Sequence, residues 1–325
     1  MLAAFLCKIL KKRRTNPASL CLHTSQSVIY LNNQFSILSN NNQKKVIETV
    51  VAMAVYHADN VVWLKEAIIS ITTQDYRDFL FVVVVDGAVP QAILDTVLDA
   101  SKQDSRIVVA QNSDNVGLAS SMNSAAEFGL TFEPQFFVRM DADDISEPNR
   151  LSRQVSYMRR HGYIAVLGTG LTEVNEDGIK VGARVMPASH KQIARILPRR
   201  CALNHPTVII RYNVFRDGHR YDSSLMNTQD YFFWIKLVSE GYVFRNLKDR
   251  LLKFRRVNNF YKRRGLSKSL NEFRARLYAI VKLKQYSLYN VAYAFGVLTL
   301  RLMPGKLVKL AYKLDRHLLE RFGKH

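Results

Sequence analysis

From Lys45 onwards, apolar runs rich in β-branched residues alternate with stretches in which apolar residues recur every three or four positions. Two such periods in alternation predict βαβ units around a mainly parallel sheet. Residues 46–56 form the first predicted strand. A helix follows, capped by Asp59 or Asn60, with Trp63, Leu64, Ala67, Ile68 and Ile71 on one face. Residues 79–85 are apolar throughout, as expected of a strand buried on both sides. The alternation continues through a helix over 90–102, a strand over 106–110, a helix over 117–128 and a strand over 135–140. Four strands in so short a stretch suit a nucleotide-binding half-sheet.

Asp141, Ala142, Asp143 and Asp144 close that half-sheet, and a helix is expected over 147–160. Shorter strands and turns follow to about residue 227, and another helix starts near Thr228. Helices near 267–284, 286–302 and 305–322 then carry tyrosine, leucine and many basic residues. Residues 15–45 are polar and asparagine-rich, a composition expected of a poorly ordered lead. The chain therefore divides into a lead (1–45), one α/β domain (46–265) and a basic amphipathic helical region expected to associate with membranes (266–325).

Charge sharpens this division. The chain holds 47 Lys and Arg against 27 Asp and Glu, a formal net charge of +20. Residues 251–325 alone carry 18 Lys or Arg and three acids (Glu272, Asp315 and Glu320), a net of +15. So localised an excess implies a localised anionic partner, either nucleic acid or anionic lipid. No zinc-ligand spacing, aromatic RNA-recognition motif or reader helix accompanies it, so no nucleic acid is expected. The uncharged run 285–300 has 16 residues, short of the roughly 20 that a spanning helix needs. Its flanks hold Lys282, Lys284, Arg301, Lys306, Lys309 and Lys313, a pattern suited to helices lying in the interface of an anionic membrane surface. Cys7, Cys21 and Cys201 include no close pair, which fits a reducing compartment better than disulfides or a zinc site. The opening MLAAFLCKILKKRR places its charges after the apolar stretch and lacks a small-residue cleavage site, unlike a signal peptide.

The acids at 141–144 directly follow an apolar strand, which holds them at the carboxyl edge of the sheet, where open α/β folds bind ligands. With 17 aspartates in the chain, a D-x-D triplet is expected about once by chance, and Asp favours turns and helix N-termini for local reasons. Position gives this one a chemical use. Carboxylates would repel a nucleotide diphosphate unless a divalent cation bridged them, and Mg²⁺ typically takes one or two protein carboxylates, with phosphate and water as its other ligands.

Five segments, in order, resemble the family 2 glycosyltransferases. They are AMAVYHADNVVWLKEAIISITTQDYRDFLFVVVVDGA, NVGLASSMNSA, FVRMDADDISEPNRLSRQ, LNHPTVIIR and TQDYFFWIKL, and the likeness runs from about residue 50 to 265. Within the family it is nearest to bacterial enzymes that build exopolysaccharide, capsule or O-antigen chains, several of which carry a Y-x-R-R-G segment like 261–265. The resemblance implies a GT-A fold, in which a Rossmann-like, mainly parallel sheet is flanked by helices, here with a basic C-terminal helical extension. It also implies a nucleotide-sugar donor (a UDP-sugar is expected), a lipid-linked glycan or polysaccharide acceptor, inversion, a divalent metal (Mg²⁺ or Mn²⁺) and a place on the cytoplasmic face of the cell membrane. Carried over by position, Ala54, Val55 and Tyr56 line the base pocket, and Asp86 accepts a hydrogen bond from the base. Asp141 and Ala142 lie on the donor side, Asp143 holds the metal and Asp230 is the general base. Two departures stand out: Val85 precedes Asp86 where the family commonly has a second acid, and Gln229 precedes Asp230 where it commonly has Glu.

Other residues carry open alternatives. Asp230 also suits the first turn of a helix capped by Thr228, where the dipole favours an acid by roughly 0.3–1 kcal/mol. His205, between Asn204 and Pro206, is either structural or a contributor to acceptor or diphosphate binding. Trp234 and Ile235 suit the core. Arg255, Arg256, Lys262, Arg263 and Arg264 form an expected basic loop able to clamp a diphosphate. The competing classes are a basic nucleic-acid-binding protein and a non-catalytic nucleotide-sugar-binding assembly partner, and the retained Asp143 and Asp230 favour the enzyme. A nucleotidyltransferase would place a glycine-rich, lysine-containing loop near the first strand, and AMAVYHADN has neither residue type.

Overall fold

In the segment FLFVVVVD, Leu80, Val82 and Val84 pack into one apolar core and Phe79, Phe81, Val83 and Val85 into another, so no side of the strand is left polar. Burying each such side chain contributes about 1.5–3 kcal/mol relative to leaving it in water, which commits this segment to the middle of the molecule. The computed structural model describes residues 29–32, 35–42, 46–225, 227–257 and 266–302. Along the chain run β1 (Ile29–Asn32), β2 (Phe35–Asn40), β3 (Thr49–Val55), α1 (Val61–Thr72), β4 (Phe79–Asp86), α2 (Gln91–Gln103), β5 (Ile107–Asn112) and α3 (Gly117–Gly129). Next come β6 (Phe136–Met140), β7 (Ile145–Ser146), α4 (Arg150–Arg160), β8 (Ile164–Val174), β9 (Lys180–Arg184), α5 (His190–Ile196) and β10 (Ile209–Arg211). Last are α6 (Asn213–Arg216), α7 (Gln229–Ser239), β11 (Val243–Arg255), α8 (Leu266–Lys282) and α9 (Leu288–Leu302).

The strands form one sheet in the order β1-β2-β5-β4-β3-β6-β10-β8-β11-β7, with β9 on β8. β5, β4, β3 and β6 are parallel neighbours. The chain winds outward from β3 through β4 to β5, then crosses back to set β6 on the other side of β3. The gap between the carboxyl ends of β3 and β6 is therefore a topological switch point, the place where open α/β sheets bind ligands. Beyond β6 the sheet is mixed: β10 is antiparallel to both β6 and β8, whereas β11 runs parallel to β8.

Helices cover both faces. Leu64 and Ile68 of α1, Ile93 and Val97 of α2, and Leu151 and Val155 of α4 fill one core. Met122 and Ala126 of α3 and Trp234 and Leu237 of α7 fill the other, which Ala275 and Ala279 of α8 join. The α/β class and the mainly parallel central sheet expected from the alternation are those of the structure.

Several boundaries differ from expectation. The segment read as a poorly ordered lead contains β1 and β2, which pair antiparallel, and β2 pairs with β5, with Phe35 and Ile37 in the core. β11, the 13-residue strand VFRNLKDRLLKFR, was not anticipated, and it places Arg255 at a strand end instead of in a loop. Asn60, not Asp59, caps α1: its Oδ1 accepts from the N–H groups of Val62 and Trp63 at 2.9 and 3.3 Å. Trp63 is only half-buried. Thr228 does not cap α7 through its side chain; it sits at φ +64°, and its hydroxyl donates to the carbonyl of Asn227. Lys262, Arg263 and Arg264, the 261–265 segment and the helix expected over 305–322 lie outside the described residues.

Candidate active site

At the switch point β3 ends in a tight turn. The N–H of Tyr56 donates to Oδ2 of Asp59 at 2.9 Å, and the N–H of Asp59 donates to the carbonyl of Tyr56 at 3.2 Å. Across the gap, β6 delivers Asp141 and Asp143. Asp59, Asp141 and Asp143 approach closely enough for their charges to act on one another. Burial first, and then the charge of Asp141, pushes Asp59 up to about 6, with Arg139 opposing. Burial first, and then the charges of Asp141 and Asp59, raises Asp143 as well. Arg139, almost wholly buried on β6, donates to the carbonyl of Met140 and to Asp141. One buried cation thus partly balances three carboxyl groups, and the remaining repulsion is what a divalent cation would relieve. Among the described residues no group of three or more His, Cys, Asp or Glu is arranged so that it could hold a metal ion by itself. A hard cation that takes its other ligands from diphosphate and water does not need one, so the donor set fits.

Asp144 points inward. Its Oδ1 accepts from the backbone N–H of Arg255 at 2.9 Å, and burial, followed by the charges of Asp141 and Asp143, raises its pKa well above the usual carboxylate range. Arg255 fixes the outer side of this turn. Its Nε donates to the carbonyl of Asp143 at 3.0 Å, Nη1 to the carbonyl of Glu176 at 2.9 Å and Nη2 to Oε2 of Glu66 on α1 at 2.5 Å. Its guanidinium lies 5.1 Å from the centre of the Trp63 ring. Arg255 was expected to offer its charge to a diphosphate from a loop; it is instead committed to the protein, holding the Asp143 turn to β11. Arg256 is also engaged, through its N–H to the carbonyl of Val174 at 2.8 Å and its guanidinium to Glu173 at 3.3 Å.

Of the residues expected to line the base pocket, Val55 is a core residue, Ala54 packs against the core and Tyr56 is half-buried; Ala142, expected on the donor side, is also a core residue. Asp86 is engaged within the protein. Only 4% exposed, it accepts from Nδ2 of Asn112 at 2.8 Å, the N–H of Val116 at 3.0 Å and the N–H of Gly117 at 2.9 Å. Its carboxylate organises the turn into α3 and the helix N-terminus. Beside it Gly87, at φ +80°, has no room for a side chain: a Cβ would lie 2.6 Å from the backbone nitrogen of Asn115. Asp86→Ala is expected to remove the acceptor of one buried donor on Asn112 and of the part-buried N–H groups of Val116 and Gly117, and to cost about 3 kcal/mol. For a domain of this size that lowers Tm by roughly 6–12 °C in a thermal melt. A melt within a degree or two of wild type would contradict this account.

On the other side of β6, Asp230 lies in the first turn of α7. Burial raises its pKa, opposed by hydrogen bonds from the N–H groups of Tyr231 and of Asp230 itself. Thr228, a β-branched residue at positive φ immediately before this helix, is the kind of backbone outlier that concentrates at functional sites. His205 is half-buried, with Nε2 3.2 Å from the Tyr221 hydroxyl. Burial, reinforced by the charge of Arg139, lowers its pKa well below the ordinary value, so it is neutral. Asn123 of α3 holds Tyr221 by exchanging two 2.9 Å bonds with its backbone. Arg150 joins the two sides: fully buried on α4, its Nη2 donates to the carbonyls of Arg139 at 2.7 Å and of Pro206 at 2.9 Å. Asp59, Arg139 and Arg255 are the site residues that sequence reasoning missed or misplaced. A charged residue inside the apolar strand FFVRM was the available signal for Arg139.

Comparison with known proteins places this arrangement in a family. The amylovoran biosynthesis glycosyltransferase AmsE of Erwinia amylovora is 28% identical over 269 residues, covering 82% of this chain and 98% of AmsE. The UDP-Gal:alpha-D-GlcNAc-diphosphoundecaprenol beta-1,3-galactosyltransferase of Escherichia coli is 27% identical over 246 residues, covering 75% of this chain and 84% of that enzyme. Among solved structures, S. aureus TarS in complex with UDP-GlcNAc superposes with a TM-score of 0.58 at 18% identity, covering 78% of this chain and 72% of TarS, a likeness of fold. The fold is GT-A, and the family model of glycosyl transferase family 2 matches residues 50–218, from β3 through the switch point to just beyond α6. With more than half its length in that match, the chain belongs to glycosyl transferase family 2 and is a glycosyltransferase.

Proposed function

We propose that this enzyme transfers a sugar from a UDP-sugar to a lipid-linked glycan or polysaccharide acceptor with inversion, in the synthesis of a bacterial cell-surface polysaccharide. The observation that carries the reading is the set of opposed carboxyl groups at the β3/β6 switch point, where the charge of Asp141 adds to burial in raising the pKa of Asp59, and the charges of Asp141 and Asp59 do the same for Asp143. Support for UDP comes from the bound donor in TarS and from the activity of the E. coli galactosyltransferase, which also uses a diphosphoundecaprenol acceptor. AmsE supports the polysaccharide context. Peripheral attachment to the cytoplasmic face of the membrane belongs to the same reading.

Asp143 would hold Mg²⁺ or Mn²⁺, with Asp141 towards the ribose. Bound there, the cation supplies stabilisation of the charge developing on the diphosphate. Asp230 takes the proton of the acceptor hydroxyl as its oxygen bonds to the anomeric carbon, while the bond from that carbon to the diphosphate oxygen breaks on the opposite face. The nucleoside diphosphate leaves with the bonding electron pair. Arg139 holds Asp141 by an ion pair, and Arg255 keeps the Asp143 turn in place.

The test is turnover across UDP-, GDP- and dTDP-sugars, with membrane extract as acceptor, with and without divalent cation. One UDP-sugar turned over only with cation is expected, with the anomeric configuration of the product inverted. Retained configuration would remove the direct displacement, and no turnover or nucleotide binding with any donor would remove the catalytic reading.

A further inference from the structure

α9 turns an uncharged face to solvent. Leu288 is 87% exposed, Tyr289 58% and Phe295 53%, and Tyr286 in the preceding turn is 72% exposed. Leu288, Ala292, Phe295 and Thr299 succeed one another at helical spacing on the open side, and no charged residue occurs from 285 to 300. Surface helices ordinarily keep that side charged. No helix among the described residues is long and apolar enough to cross a membrane.

The turn between α8 and α9 is anchored to the domain. Nε2 of Gln285 donates to the carbonyl of Ala194 at 2.8 Å, and Nε of Arg276 donates to the carbonyl of Arg199 at 2.8 Å. These bonds bring the end of α5 alongside the tip of the hairpin, where the Arg199 guanidinium lies 5.5 Å from the centre of the Tyr289 ring. Exposed Arg195 from one segment and exposed Lys282 and Lys284 from another thereby collar the aromatic tip. The sequence keeps these groups far apart; the fold assembles them.

We propose that the tip of the α8–α9 hairpin is a membrane-docking surface. The uncharged face of α9 lies at the boundary between headgroups and acyl chains, with Lys282, Lys284 and Arg195 on anionic headgroups. Aromatic rings and leucine at the surface with a basic collar are the combination that interface favours. An apolar protein partner would leave the collar unused, and nucleic acid would leave the uncharged face unused. α8 also packs on α7, with Phe232 and Tyr278 ring centres 5.4 Å apart, so docking sets the helix that carries Asp230 beside the lipid. The surface stands on observations separate from Asp143 and Asp230, and goes beyond the reaction proposed for them.

Sedimentation of the full chain with vesicles of phosphatidylcholine, alone or mixed with phosphatidylglycerol, tests this. Binding is expected to the mixed vesicles and more weakly to the neutral ones. Leu288→Glu with Phe295→Glu should weaken both by about tenfold or more. Lys282→Glu with Lys284→Glu should weaken binding to the mixed vesicles by about tenfold and leave the neutral ones unchanged. Donor hydrolysis without vesicles should be unchanged in both variants, which separates failure of this surface from failure of the catalytic reading. If the first variant melts lower than wild type, Leu288→Glu alone serves, since that side chain is almost free of packing. Undiminished vesicle binding by these variants would overturn the proposal and assign attachment to residues beyond 302. A dimer dissociated by Leu288→Glu, with no vesicle binding, would overturn it in favour of a second copy of the chain.

Discussion

Asp230→Asn is expected to lower kcat by about 10²–10⁴-fold, the usual contribution of a positioned general base, with the KM for donor changed by less than a few fold. The ionised carboxylate is the active form, so wild-type activity falls as pH drops through the Asp230 pKa. Burial places that acid limb above the ordinary carboxylate range, and the limb should be absent from the variant. Stability should respond in the opposite sense. A carboxyl group with a raised folded-state pKa binds more protons folded than unfolded, so its ionisation destabilises the protein as pH rises from the unfolded value through the folded one. Asparagine never ionises, and at neutral pH the variant should melt no lower than wild type. A helix-terminus acid with no catalytic role would show the reverse, a small loss of stability and no loss of rate. A variant within tenfold of wild-type kcat, or one that keeps the acid limb, would end the assignment of Asp230.

Asp143→Ala is the other large effect. With cation present, nucleoside diphosphate binding measured by calorimetry should weaken by about a hundredfold, and turnover should fall at least about a thousandfold, since stabilisation of the leaving diphosphate is worth several kcal/mol. Without cation the order should invert: removing one of three mutually repelling acids leaves nucleotide binding equal to wild type or tighter. The signature is therefore the loss of coupling between cation and nucleotide, not weak binding alone. Wild-type coupling in this variant would show that Asp143 is not the residue through which the cation acts.

The parallel half of the sheet was legible because β3, β4 and β6 are buried on both faces and read as near-continuous apolar runs, that of β6 interrupted only by Arg139. β11 was not, because VFRNLKDRLLKFR mixes six charged residues with apolar ones and carries register irregularities against β8, so neither period 2 nor a continuous run survives. β2 escaped notice for a related reason: only Phe35 and Ile37 of that strand enter the core. At the site, the D-x-D spacing and the acid at the start of α7 were visible as local patterns. Asp59 was not, since its interest lies in facing Asp141 and Asp143 across a gap that only the β3–β6 pairing creates. Arg255 failed for the same reason: its partners come from α1, the Asp143 turn and the end of β8, and no local spacing brings these together. Asp86 was found by motif, but its bonds to the turn into α3 were not, because that turn belongs to a different βα unit.

The chain has two tryptophans, and the fold gives each a different half of the site. Trp63 is half-buried beneath the Arg255 guanidinium, beside the turn that bears Asp143. Trp234 is completely buried, with its ring centre 6.0 Å from that of His205, on the helix that bears Asp230. A partly hydrated indole emits to the red of a dry one, so the intrinsic fluorescence of the unlabelled enzyme contains two separable signals. On the roles proposed for Asp143 and Asp230, the red component is expected to report occupancy by donor and the blue component rearrangement near the acceptor, so that the order of substrate binding can be followed in one stopped-flow trace.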